Sequence, residues 1–118
     1  MRILAIILSA MLLAAAPLKF DKTVHDFGEI SVKAGPQTCT FTITNTAEEP
    51  LNIYAVVSSC GCTNVTWTRD TIEPGKTGKV TATYSNDEGP YTFDKTLSVY
   101  TSAQKKPFLL HLKGTVRK

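Results

Sequence analysis

The sequence is poor in the residues that usually carry chemistry. It has three cysteines, two histidines and one tryptophan in 118 residues. An odd cysteine count allows at most one internal disulfide and leaves a thiol over. Lys and Arg are scattered, and their longest run is Lys105-Lys106. The net charge of +3 therefore reads as a solvated surface and leaves no footprint for nucleic acid. Glycines 28, 35, 75, 78, 89 and 114 are dispersed turn residues, and none builds a phosphate-cradling loop. No combination of serine, histidine and acid stands out as a triad. The chain is not expected to be an enzyme.

Long apolar runs are also missing. Ile3 to Leu13 is apolar apart from Ser9, too short to span a bilayer as a helix. With Arg2 before it and Ala14-Ala15-Ala16 after it, residues 1–16 read as a secretory signal peptide. Pro17 is a poor residue to follow the cut, so an uncleaved anchor is the other reading of this segment. No cysteine lies near the cut to take a lipid. The expectation is an exported protein, periplasmic or secreted, with no membrane span in its mature chain. Export implies an oxidising compartment in which cysteines can pair.

From Leu18 onward no helical period is found. Short runs rich in Val, Ile, Thr, Phe and Tyr alternate with Gly, Pro, Asn and Asp. Strands are expected at 19–21, 24–30, 38–44, 51–57, 64–68, 78–85, 91–101 and 107–116. Residues 17–118 thus read as one all-β domain, an immunoglobulin-like antiparallel sandwich of about seven to eight strands. The clearest alternation is Thr38 to Thr44, with Cys39, Phe41 and Ile43 on one face and threonines on the other. That places Cys39 in the core, where a free thiol behaves as a small hydrophobe. Lys95 breaks the apolar face formed by Phe93, Leu97 and Val99, and is expected where its strand leaves the core.

Ser58-Ser59-Cys60-Gly61-Cys62-Thr63 stands apart. In a flat strand, residues two apart sit about 6.6–6.8 Å from each other on one face. That is at the limit for a disulfide, so the sulfurs join only if the backbone bends. Gly61, which lacks a Cβ, permits the bend. The pairs 60–62, 39–60 and 39–62 all stay open, as do bare thiols that only pack. Reduced, Cys60 and Cys62 are a candidate soft-metal site suited to Cu(I), whereas zinc would need distant partners. Thiol exchange ranks below metal binding, because the Cys-x-x-Cys spacing and its helix are both absent. No cofactor is required, and Cu(I) is the alternative. His25 and His111 read as a strand-entry residue and a half-buried strand residue rather than ligands. Asn64-Val65-Thr66 matches a glycosylation acceptor only weakly.

Taken in order, several segments resemble the bacterial DUF1573 family of unknown function. They are Thr23 to Ile30, Phe41 to Thr46, Pro50 to Ile53, Ser59-Cys60-Gly61-Cys62-Thr63, Ile72 to Gly78 and Leu112 to Val116. The resemblance runs from about residue 18 to 117. It implies an exported immunoglobulin-like domain related in shape to ASH/Hydin-type modules, and no established reaction. Cys39 is not counted in that pattern. The expected function is a non-catalytic binding or scaffold module for a protein partner in the cell envelope. A Cu(I)- or thiol-handling role for Cys60 and Cys62 is the alternative.

Overall fold

The computed structural model describes residues 17–118, so the expectations for residues 1–16 lie outside it. Eight strands follow one another: β1 (Lys19–Phe20), β2 (Val24–Ser31), β3 (Gln37–Thr44), β4 (Ile53–Ser58), β5 (Thr63–Trp67), β6 (Thr77–Tyr84), β7 (Tyr91–Thr101) and β8 (Gln104–Arg117). They form two four-stranded sheets, β1-β3-β6-β5 and β2-β8-β7-β4. No helix occurs among the described residues. The sandwich expected from the alternating pattern is the observed fold.

The inward rows explain why these segments are strands. Phe41, Ile43, Val80, Ala82 and Tyr84 of the first sheet are buried, as are Phe93, Leu97, Val99, Leu110 and Leu112 of the second. Each row recurs at period two, so both sheets turn one face to a shared core. The two sheets meet in the stacked rings of Tyr84 and Phe93, 4.0 Å between centroids. Thr38 and Thr40 point outward and hydrogen-bond Thr83 and Thr81 across the β3–β6 pair.

One pairing departs from the antiparallel expectation: β2 runs parallel to β8. These strands stand at opposite ends of the described chain, so no tight turn forces them antiparallel. Their register slips between Asp26 and Glu29, where Gly28 has φ +72°. Other boundaries shift slightly. β8 begins at Gln104, and Leu51 makes an isolated bridge to Ile72 ahead of β4.

Three connections pass between the sheets at one end of the sandwich: residues 32–36 from β2 to β3, and the two that build the site. β4 belongs to the second sheet and β5 to the first, and Cys60-Gly61-Cys62 joins them. Residues 85–90 cross back from β6 to β7. Thr63 pairs with Tyr84 and Ser58 with Leu97, so both crossings lie over the same edge of the core. This topology brings Cys60 and Cys62 to the 85–90 loop.

Candidate functional site

The crossing is held by backbone on both sides. The Ser59 amide donates to Thr96 O at 2.9 Å, and the Thr96 amide donates to Ser59 Oγ at 3.0 Å. The Ser85 amide donates to Cys62 O at 2.8 Å. Within the turn, the Thr63 amide donates to Cys60 O at 3.3 Å and the Cys60 amide to Ser58 Oγ at 3.1 Å. The chain therefore bends through Gly61, and the Cα atoms of Cys60 and Cys62 stand 5.1 Å apart. That is inside the disulfide range, and the two sulfurs are bonded.

Cys39 is left as a free thiol in the core. It lies opposite Ala82, which in turn lies opposite Val65, so β6 separates it from the strand that follows Cys62. Two strand spacings amount to about 9.6 Å, beyond the reach of a disulfide. The 39–60 and 39–62 pairs are excluded for that reason. Burial pushes the Cys39 thiol up to about 11 from 9.0.

Both bonded sulfurs are in half-buried residues, and each has a donor beside it. The Cys62 amide donates to Cys60 Sγ at 3.1 Å. The Thr63 hydroxyl lies 3.7 Å from Cys62 Sγ. The crossing loop then adds Glu88, which residue patterning alone had not singled out. A carboxylate oxygen of Glu88 and the two Sγ atoms all lie within 4.8 Å of one another.

Glu88 is held in place from beneath. The Tyr84 hydroxyl donates to Glu88 Oε1 at 2.5 Å. Burial first, and then this bond to a carboxylate, drive the Tyr84 phenol far above its ordinary range. Lys95 Nζ lies 3.4 Å from Glu88 and 3.5 Å from the Tyr91 hydroxyl, with Nζ 5.1 Å from the Tyr91 ring centre. Lys95 was expected where β7 leaves the core, but it is buried at 8% exposure. Its ammonium is kept there by Glu88 and Tyr91, partners that only the crossing loop and β7 together supply. A signal was present in the sequence: a lysine in an apolar inward row calls for a nearby acid.

Neither histidine joins this group. His111 Nδ1 pairs with Asp94 Oδ1 at 3.0 Å on the exposed face of the second sheet. His25 packs edge-on against Phe27, and burial, then Lys22, holds its ring below the ordinary value. The acid that meets the sulfurs is Glu88. Reduced, the three groups would offer two soft donors and one hard one; as observed, the bonded sulfurs are not thiolate ligands.

The comparisons with known proteins agree with this fold. No curated protein matches the chain. Among solved structures, a Porphyromonas gingivalis W83 protein of unknown function superposes with a TM-score of 0.68 at 16% identity, over 90% of this chain and 50% of that one. The VesB protease of Vibrio cholerae gives 0.65 at 18% identity, over 91% and 34%. The ASH/PapD-like domain 7 of human CEP192 gives 0.69 at 9% identity, over 86% of each. The chain thus spans half the length of the first of these and about a third of the second. At these identities the likeness concerns the fold alone. Sequence carries the closer relationship, for residues 18–116 match the profile described as "Protein of unknown function (DUF1573)". The chain belongs to the DUF1573 family.

Proposed function

We propose that this protein is an exported binding module that takes a protein partner in the cell envelope and turns over no small-molecule substrate. The observation that carries this reading is the outer face of the second sheet. Val24, Tyr54, Val57, Tyr100 and Leu109 are five of the six exposed large hydrophobics among the described residues. Strand register gathers them. Val57 lies opposite Ser98 and Ser98 opposite Leu109, Tyr100 lies opposite Ala55, and Val24 lies opposite His111. Their inward neighbours Val56, Leu97, Val99 and Leu110 are buried, so the exposed set shares one side of the sheet.

Scattered apolar residues on a surface need no explanation, but a set gathered on one sheet face does. The patch reaches β4, which is an edge strand of its sheet. An edge strand offers unpaired amides and carbonyls to an extended segment of another chain. Apolar side chains beside that edge would give such a segment its specificity. The signal-like start at residues 1–16 supports export.

The test is site-specific photo-crosslinking in the native envelope, with the photoreactive residue at position 57 or at exposed Thr66 on the other sheet. A discrete adduct to another protein from position 57, absent from position 66 and lost on Tyr54→Lys, is expected. No adduct from position 57, the same adducts from both positions, or an adduct only to a second copy of this chain would refute the proposal.

A further inference from the structure

The bonded sulfurs lie just past the end of β4, outside the exposed apolar set, and call for their own account. A disulfide that serves as a staple gains most by closing a long stretch of chain. This one spans a sequence separation of only 2, in residues that are half-buried rather than sealed. Around it stand groups that folding alone would not choose. Lys95 occupies an inward position in a row otherwise made of Phe93, Leu97 and Val99. Its acidic partner Glu88 is fixed by Tyr84 and has a carboxylate oxygen within 4.8 Å of both sulfurs. An amide is already aimed at Cys60 Sγ. A carboxylate within 4.8 Å of the disulfide, a donor beside each sulfur with the closer one on Cys60, and partial exposure are the elements that thiol exchange calls on.

We propose that the Cys60–Cys62 disulfide is a reactive bond that oxidises a dithiol on a protein partner, with Glu88 carrying the proton. This goes beyond the binding reading and stands on different residues. The attacking thiol gives its proton to Glu88, and its sulfur attacks Cys62 Sγ. The Cys60–Cys62 bond breaks, and its electron pair leaves on Cys60 Sγ, where the Cys62 amide donates at 3.1 Å. A sulfur stabilised as thiolate is the better leaving group. Glu88 then returns the proton to Cys60. The partner's second thiol attacks the partner sulfur of the mixed disulfide and frees Cys62, which takes the second proton. The partner loses two electrons and two protons and closes its own disulfide. This chain gains both as two thiols, so no other oxidant is needed.

The test uses the oxidised full chain with dithiothreitol and, separately, reduced glutathione at pH 7. Samples are quenched in acid, alkylated and read by mass spectrometry. An oxidised synthetic peptide spanning residues 59–63 is the comparison, which requires no variant to fold. Native protein is expected to react with dithiothreitol about tenfold faster than the peptide, below the roughly 10²–10⁴-fold that a fully optimised proton carrier provides. A Glu88→Gln/Lys95→Met double variant, which leaves no unpaired buried ammonium, should fall to the peptide's rate and to its simple rise with thiolate concentration. The trapped glutathione adduct should map to Cys62. A native rate equal to or below the peptide's, a double variant as fast as the native chain, or an adduct mainly on Cys60 would each overturn the proposal.

Discussion

Removing the Cys60–Cys62 bond should cost the fold little, and the size of the loss discriminates between a staple and a reactive bond. In the chain-entropy account, closing a loop of about three residues removes roughly 1.6 kcal/mol of unfolded-state freedom. Closing the roughly 22 residues from Cys39 to Cys60 would instead remove about 3.4 kcal/mol. The crossing also keeps its other anchors when the sulfurs part: Ser59 to Thr96, Ser85 to Cys62 O and Thr63 to Cys60 O are backbone bonds. With an unfolding entropy of about 2.1 cal/mol/K per residue over roughly a hundred residues, 1.6 kcal/mol corresponds to a Tm lower by about 7–8 °C. The assay is calorimetric unfolding of the oxidised chain, the same chain reduced with a phosphine, and the Cys60→Ser/Cys62→Ser variant. Reduction and replacement should agree, because both remove the same constraint. A loss above about 3 kcal/mol would refute the reasoning, since it would mean that the bond holds structure well beyond its own turn.

Three further outcomes follow from the same packing. Glu88→Ala should lower stability by about 2–3 kcal/mol in denaturant titrations, because it leaves a buried ammonium unpaired; Lys95→Met should change it by less than about 1 kcal/mol, since methionine fills the space and Glu88 keeps its Tyr84 bond near solvent. Equal losses would contradict that asymmetry. Cys39 should resist alkylation in the folded chain at pH 8 and react in urea; because its thiol holds its proton up to about 11 while the unfolded thiol loses it near 9.0, stability should fall as pH rises between those values, and rapid labelling of the folded protein would refute this. Cu(I) titrated against a competing chelator should bind the reduced chain through Cys60 and Cys62 and bind the oxidised chain no better than the double serine variant does; tight binding by the oxidised chain would point to other ligands.

The strands were legible because their information is local. Period-two rows such as Cys39-Phe41-Ile43 and Val80-Ala82-Tyr84 announce which face is buried before any partner strand is known. The bend at Cys60-Gly61-Cys62 was legible for the same reason, as a question of reach across one glycine. What pairs with what was not local. The parallel β2–β8 contact depends on the two ends of the domain meeting, and nothing within either strand encodes that direction. Exclusion of Cys39 from the disulfide required knowing that β6 lies between it and β5. Glu88 was missed because it sits in a turn of Asn, Asp, Glu, Gly and Pro, where an acid looks like ordinary solvated loop. Lys95 was seen as a mismatch but given the wrong cause. Its inward row implies burial, and the tyrosine and the acid that permit it come from residues four and seven positions earlier in the chain.

The two proposals converge on one strand. β4 carries Tyr54 and Val57 on the exposed face, ends at Ser58 and passes within two residues to Cys60. At about 3.3 Å per residue, Val57 and Cys60 stand no more than roughly 10 Å apart along the chain. An extended segment laid on the β4 edge and running past Ser58 would therefore bring its own residues into the neighbourhood of the sulfurs. Edge-strand pairing alone gives modest selectivity, since every backbone offers the same amides and carbonyls. A covalent step at the end of the edge supplies what that pairing lacks: only a segment with a thiol in register could react. The same arrangement gives the 85–90 crossing a role beyond linking two strands. By carrying Glu88 over the core edge, with Tyr84 and Lys95 beneath it, this loop puts the proton carrier where a segment leaving β4 would arrive.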